Sequence, residues 1–303
     1  MINTTVIIPY KNNLDALHRA LKSVLSQTVE VSILIVDDGS EQSQKADLVV
    51  RELNHRNINV IYNDTSLGGG EARNIGIRNA KTKFIAFLDC DDYWDHNKIE
   101  SQEKMFSELP ANRTNVIFSS IRVVDEKLNI IKEYCNGSAV KNFSEYVFLQ
   151  GGLIQTSSLF LETSLAIRNQ FNPNLKRHQD YDFCLKLESQ GAMFECCDKT
   201  YSYWVVPSDP LIALKKGYDY NLSLDFYNNY KGLMTTRAGY AFLAKVPLWF
   251  SIKQKNMKGF VSSLLKKCGF KTSCMVFLEL ARLVLTKWMR RDDLPPRLDT
   301  TLS

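Results

Sequence analysis

None of the seven cysteines (Cys90, Cys135, Cys184, Cys196, Cys197, Cys268, Cys274) forms a CxxC pair, and their number is odd. They read as reduced, mostly packed thiols in a cytosolic protein. No uncharged apolar run reaches the roughly 18 residues of a spanning helix. The first residues lack a basic region, an apolar stretch and a small-residue cleavage site, so no secretory leader is expected. Internal repeats and low-complexity tracts are absent. The net charge of +5 falls short of the strong basic bias of nucleic-acid binders, although it favours anionic partners. What remains is ordinary globular composition, 45% hydrophobic and 23% charged over 303 residues. That length suits one large domain, or one domain with a helical annex.

Strand and helix signals alternate through the first hundred residues. The run Thr5-Val6-Ile7-Ile8 is stopped by Pro9, and Asn12-Asn13 offers a cap to a helix with Leu14, Leu17, Leu21, Val24 and Leu25 on one face. A second strand, Ile33-Leu34-Ile35-Val36, ends at Asp37-Asp38-Gly39-Ser40. A polar helix follows, then a third strand at Ile58-Asn59-Val60-Ile61-Tyr62. Helical composition from Glu71 to Ala80 leads to a fourth strand, Phe84-Ile85-Ala86-Phe87-Leu88, ending in Asp89-Cys90-Asp91-Asp92. The alternation predicts an α/β fold, a mostly parallel sheet flanked by helices. Ligands of such sheets bind beyond the carboxyl ends of the strands, where both acidic clusters fall. Further on, Val116 to Ser120 and Ile154 to Phe160 read as strands, and Phe183 to Gln190 as a helix. From about residue 216 the chain turns helical and basic, with eleven Lys and Arg but one acid, Glu279, between Lys245 and Arg291.

Three carboxylates at one strand mouth, Asp89, Asp91 and Asp92, repel one another until a cation relieves them. Oxygen-only donors select a hard ion, Mg²⁺ or Mn²⁺. Taken alone the cluster also reads as a solvated acidic turn; its place after a buried strand favours the metal. Asp37 and Asp38 read either as turn residues or as acceptors for a base or ribose hydroxyl. Gly68-Gly69-Gly70 followed by Arg73 reads as close backbone approach with a phosphate-reaching arginine, or as a loop with a surface arginine. There is no dinucleotide fingerprint after the first strand and no GxxxxGK[ST] loop. In Arg177-His178-Gln179-Asp180-Tyr181-Asp182-Phe183, a carboxylate before a helix reads as an N-cap or as a general base. His178 reads as a polar supporting residue.

Together these segments resemble family 2 of the glycosyltransferases, which have the GT-A fold. The resemblance rests on Val6-Ile7-Ile8-Pro9-Tyr10-Lys11-Asn12, Ser26-Gln27-Thr28, Val36-Asp37-Asp38-Gly39-Ser40, Gly70-Glu71-Ala72-Arg73-Asn74-Ile75-Gly76, Phe87-Leu88-Asp89-Cys90-Asp91-Asp92 and Gln179-Asp180-Tyr181-Asp182-Phe183. The ordered set is far more specific than any one motif and covers roughly residues 4 to 190. It is most similar to bacterial enzymes that build O-antigen or capsular repeats. The resemblance implies that Pro9 and Tyr10 line the nucleobase pocket and that Asp38, with Asp37, binds uracil and ribose. It places Arg73 by the nucleotide, Asp89 toward the ribose or donor sugar, Asp91 on the divalent metal and Asp180 as the base. Two departures stand out: Lys11 sits between Tyr10 and Asn12, and Gln179 replaces the family's usual acid before the base.

The implied reaction is inverting transfer of a hexose, glucose or galactose, from a UDP-sugar to a saccharide hydroxyl, forming a β-linkage. The implied acceptor is linked to undecaprenyl diphosphate, at the inner face of the plasma membrane, in lipopolysaccharide or capsule assembly. Residues 1–215 are expected to form the catalytic domain, with a nucleotide-sugar half (1–100) and an acceptor half (101–215). Residues 216–303 form the helical section. Within it Cys274 to Arg291 reads as an amphipathic helix, with Glu279, Arg282, Thr286 and Arg290 on its polar face. Trp288 and Met289 beside Arg290-Arg291 suit an interfacial anchor, equally a helix packed on the main domain. A nucleotidylyltransferase would carry a glycine-rich loop after the first strand, which Pro9-Tyr10-Lys11 lacks. A non-catalytic nucleotide-sugar binder would have lost Asp91 or Asp180. A nucleic-acid partner leaves the acidic clusters unexplained.

Overall fold

A computed structural model describes residues 2–134, 140–207 and 219–289, without the side chains of 198 and 286–289. The chain divides into two compact units, Met1–Gly217 and Tyr218–Ser303.

In the first unit, β1 (Thr4–Tyr10) lies between β2 (Ser32–Asp38) and β4 (Phe84–Phe87), and β3 (Ile58–Asn63) pairs β2. All three pairings are parallel. The acidic ends of β2 and β4 therefore open at the same edge. Their residues are almost all buried, as expected of strands covered on both faces. Beyond β4 the sheet continues through β8 (Phe160–Glu162), β6 (Asn115–Val124), β9 (Met193–Val205) and β5 (Tyr93–Trp94), with β7 (Ile130–Tyr134) on β6. The long β6–β9 ladder is parallel, and β8, β7 and β5 join antiparallel. This is the expected α/β class, parallel in its first half and mixed at its far side.

Helix α1 (Leu14–Leu25) starts where expected, with Asn13 accepting the Ala16 amide, and buries Leu17, Leu21 and Val24. Helices α2 (Asp47–Leu53), α3 (Gly69–Asn79), α4 (Lys98–Glu108), α5 (Phe143–Phe148), α6 (Thr163–Arg168) and α7 (Gln179–Ser189) complete this unit. The strand expected over Ile154 to Phe160 is instead a 3-10 turn, Thr156–Ser158, followed by the short β8. The reason is polar. Ser157 turns its hydroxyl to the Asp92 carboxylate (2.6 Å) and accepts the Asp89 amide (3.0 Å), which a continuous strand would not allow.

One core cluster packs α1, α2 and α4 against β1, β2 and β4. A second contact matters more for the site. Phe87, two residues before Asp89, meets Phe171 and Phe183 edge to face at 5.4 and 5.8 Å, and Phe171 stacks on Phe183 at 4.2 Å. Each buried ring contributes about 1.5–3 kcal/mol, and the trio fixes the start of α7 beside the end of β4.

The second unit holds α8 (Tyr220–Tyr230), α9 (Thr236–Lys253) and α10 (Met257–Met289), the last kinked where Gly269 takes a φ of +81°. Here the structure reverses one expectation. Glu279 is 1% exposed and pairs with Arg237 (3.3 Å) and Arg282 (3.4 Å), so it points inward. Phe270, Phe277, Leu278, Val284 and Leu285 are exposed instead. The expected anchor residues Trp288, Met289, Arg290 and Arg291 have side chains outside the described residues.

Candidate active site

Asp37 is fully buried; its two oxygens accept the Ser40 (2.9 Å) and Ala46 (3.0 Å) amides. Asp38 accepts Asn63 Nδ2 (2.9 Å), Ser66 Oγ (2.7 Å) and the amides of Leu67 and Gly68 (both 2.8 Å). A carboxylate offers about four lone-pair sites, and these four contacts fill them. Burial works to raise the Asp38 carboxyl, but the four hydrogen bonds, led by the Leu67 amide, hold it below the ordinary value. Both residues brace the wall of this corner. Asp38 thereby fastens the Leu67-Gly68 segment that leads into α3, whose first turn has no side-chain cap.

Tyr10 stands at the end of β1. It is 1% exposed, donates to the Gln44 carbonyl (2.7 Å) and accepts the Asn13 amide (3.1 Å), so its ring belongs to the core rather than to a stacking surface. Pro9 is half-buried within β1, opposite Val36, so it does not end the strand. An aromatic that does stand at this rim is Tyr62, paired with Asp37 in register, 46% exposed, with the Lys45 ammonium 5.3 Å from its ring. Nothing but its place at a strand end marks it in the sequence.

At the neighbouring strand end, Arg73 pairs with Asp89 through Nη2 and donates to Gln179 Oε1 at 2.9 Å through Nη1. Its guanidinium also lies 5.5 Å from the Phe171 ring. Arg73 thus clasps the end of β4 to the start of α7. The glycines before it make this possible. A Cβ at Gly69 would lie 3.2 Å from Arg73 Nη1, and one at Gly70 would lie 3.3 Å from the Asn172 carbonyl. Asn74 adds a second tie, donating to the Phe171 carbonyl (2.9 Å) and accepting its amide (2.8 Å).

Asp180 sits half-buried in the first turn of α7, its carboxylate accepting the Tyr181 amide at 2.9 Å. Burial pushes its carboxyl up to about 6, aided by the Asp89 charge; the Tyr181 amide and Arg73 oppose the rise. Asp180 is therefore within electrostatic reach of both Arg73 and Asp89. His178 takes a left-handed φ of 62°, stacks on Tyr181, and is lowered to about 3 by burial, which keeps it neutral.

The three carboxylates after β4 have separate surroundings. Asp89 belongs to the Arg73 clasp. Asp92 is fully buried, accepting Ser157 Oγ, Gln155 Nε2 (2.7 Å) and the Val205 amide (3.1 Å), and thereby ties β4 to β9. Burial, then the charges of Asp91 and Asp89, raise its carboxyl well above the ordinary range. Asp91 is half-buried, with Arg19 Nη2 on its carbonyl at 2.7 Å. Among the described residues no group of three His, Cys, Asp or Glu forms a ready cation cage. The donors present fit a hard cation that takes one or two carboxylates and completes its shell with substrate oxygens. Gln155 and Ser157 hold Asp92 in place, and Asn74 ties α3 to Phe171. Gln155 and Ser157 stand as polar side chains inside an apolar segment, but the sequence does not say what they bind.

The model of glycosyl transferase family 2 matches residues 5–160, which include β1 to β4 and both acidic strand ends. The chain belongs to glycosyl transferase family 2. Within the family it is 27% identical over 271 residues to the amylovoran biosynthesis glycosyltransferase AmsB of Erwinia amylovora, covering 86% of this chain and 89% of that one. An uncharacterised glycosyltransferase of Rickettsia felis is 36% identical over 199 residues, 62% of this chain and 31% of that one. Among solved structures, S. aureus TarS 1-349 in complex with UDP-GlcNAc superposes with a TM-score of 0.65 at 18% identity, covering 88% of this chain and 80% of that one. The same protein in complex with UDP gives 0.61. At such identity the likeness establishes the GT-A-like fold and nothing finer.

Proposed function

We propose that this family 2 glycosyltransferase moves a hexose, glucose or galactose, from a UDP-sugar to a saccharide hydroxyl with inversion, in bacterial surface polysaccharide assembly such as O-antigen. One observation carries the reading: Arg73 joins Asp89 at the donor-side strand end to Gln179, the neighbour of Asp180. Support for the donor comes from the TarS complexes with UDP-GlcNAc and UDP, and for the pathway class from the amylovoran relative.

In this mechanism Asp180 takes the proton of the acceptor hydroxyl as it attacks. A carboxyl near 6 is ionised at neutral pH yet more basic than a solvated one, and a positioned base is worth on the order of 10²–10⁴-fold. Arg73 holds Asp180's helix against the donor side and favours its ionised form. A single attack from the face opposite the nucleoside diphosphate inverts the anomeric carbon, so an α-linked donor yields a β-glycoside. A Mn²⁺ or Mg²⁺ held by Asp91 and the donor diphosphate would supply charge neutralisation for the leaving group. Asp37 and Asp38 shape the nucleoside corner through the loops they fasten.

The acceptor in this reading is carried on undecaprenyl diphosphate, and the second unit meets the inner face of the plasma membrane. Among the described residues no helix is long and apolar enough to cross a membrane. The exposed Phe270, Phe277, Leu278, Val284 and Leu285, with Lys266, Lys267 and Lys271 close in sequence, suit an interfacial helix on anionic lipid. Phe270→Ser combined with Leu278→Ser should abolish sedimentation with anionic vesicles; unchanged sedimentation would refute this face.

The transfer reading is tested by UDP release from UDP-Glc, UDP-Gal and UDP-GlcNAc, with and without Mn²⁺. Metal-stimulated release that vanishes in Asp91→Ala is expected. Release from none of the donors would overturn it.

A further inference from the structure

On the far side of the sheet, strand register places four residues side by side. Glu133 of β7 faces Arg122 of β6, Arg122 faces Tyr203 of β9, and Tyr203 faces Tyr93 of β5. Partners in register share a sheet face. With adjacent strands roughly 4.8 Å apart, the row is about 14 Å long. It ends at Tyr93, two residues past Asp91, and Arg19 couples the two, donating to the Asp91 carbonyl and acting electrostatically on Tyr93.

The row has a fixed chemical order. The rings of Tyr93 and Tyr203 stack at 4.5 Å and 7°. Arg122 donates Nε to Glu133 at 2.9 Å and Nη1 to the Tyr203 hydroxyl at 3.5 Å, and Thr200 Oγ1 donates to Glu133 at 2.7 Å. Tyr93, Arg122 and Tyr203 are half-exposed and Glu133 is exposed, with the Arg122 and Glu133 side chains at 33% and 35%. Two residues earlier on β9, Tyr201 is buried and its hydroxyl accepts from Ser101 of α4. The face is thus covered at Tyr201 and at Val205, and partly open at Tyr203 between them.

Cross-strand pairs stabilise sheets by themselves, but packing alone calls for neither an immobilised ion pair nor half-exposed rings leading to the Asp91 turn. A pyranose has an apolar C–H face, which an aromatic ring covers, and a rim of hydroxyls, which a held guanidinium and carboxylate satisfy. We propose that the row Tyr93, Tyr203, Arg122 and Glu133 is the subsite that receives the acceptor saccharide and leads its terminal sugar to the Asp91 turn. The proposal rests on the glycosyl-transfer reading and adds the acceptor's location.

The test uses the full-length protein, UDP-Glc, UDP-Gal and UDP-GlcNAc as donors, and p-nitrophenyl glycosides of glucose, galactose and N-acetylglucosamine as acceptor probes. UDP release is measured with and without each glycoside. In Tyr203→Ala and in Arg122→Gln, KM for the most effective glycoside should rise by about tenfold or more. Glycoside-independent UDP release should stay at the native level, and Tyr203→Phe, which keeps the ring, should leave KM close to native. An unchanged KM in both Tyr203→Ala and Arg122→Gln would overturn the subsite. So would native protein that hydrolyses a UDP-sugar but is accelerated by none of the glycosides. Native protein that releases UDP from no donor would remove the transfer reading, and this subsite with it, a result distinct from the other two.

Discussion

Arg73 donates to the amide oxygen of Gln179 at 2.9 Å, joining α3 to the start of α7 across 106 positions of sequence, while its other nitrogen holds Asp89. The neutral amide leaves the guanidinium with one carboxylate partner instead of two. Gln179→Glu would add a negative charge beside Asp180 and push its carboxyl further up. The acid limb of the pH–rate profile should therefore move to higher pH; a limb that stays in place would show that Asp180 does not feel residue 179.

Arg73→Ala releases both contacts at once. Misplacement of a catalytic group by about 1 Å can cost on the order of 10²-fold, so kcat should fall by at least that factor. Arg73→Lys, which lacks the fork, should recover little of it. Native kcat in Arg73→Ala would contradict the clasp.

The pH dependence of transfer follows from Asp180. Its carboxyl, raised to about 6, must be ionised to accept a proton, so activity should be level above pH 6 to 7 and fall as pH drops through about 6. A limb near the ordinary carboxylate value would assign the base elsewhere.

Lys98 is fully buried, its ammonium 4.0 Å from the Trp94 ring centre and 2.6 Å from Gln102 Oε1. Burial lowers it to about 7 from an ordinary 10.5. Between those values the unfolded chain holds a proton that the folded chain has released, so stability should rise with pH across that window and be lost as pH falls toward 7. Lys98→Met should flatten the dependence of Tm on pH between 7 and 10; an unchanged slope would place the lysine in water.

Gly76 lies on α3 where a Cβ would meet Ile7 Cγ2 at 2.3 Å. Alanine favours a helix by about 1 kcal/mol over glycine, but overpacking costs about 1–3 kcal/mol. Gly76→Ala should lower Tm by several degrees; a raised Tm would mean that β1 yields to it.

Much of this fold was legible because buried strands and amphipathic helices leave periodic marks. The Val6 to Ile8 run, the α1 leucines and the acidic ends of β2 and β4 all sit where their patterns place them. The Ile154 to Phe160 segment misled because its apolar residues match a strand, while Ser157 is turned toward Asp92, a partner 65 positions away. Tyr10 and Asp37 show a different limit of the sequence. Sequence shows which residues can bind a ligand but not whether the fold has already used them, and these two are used on Gln44, Asn13, Ser40 and Ala46. Glu279 shows the same limit at helix scale: its charge suggested a solvent face, whereas Arg237 and Arg282 draw it inward.

The central claim is that Asp180 removes the acceptor proton beside the donor-side strand end to which Arg73 ties its helix. Transfer by Asp180→Asn, measured beside UDP-sugar affinity for the same variant, tests it most directly. A loss of about 10²–10⁴-fold in kcat with donor affinity unchanged is expected, and transfer at the native rate would contradict it.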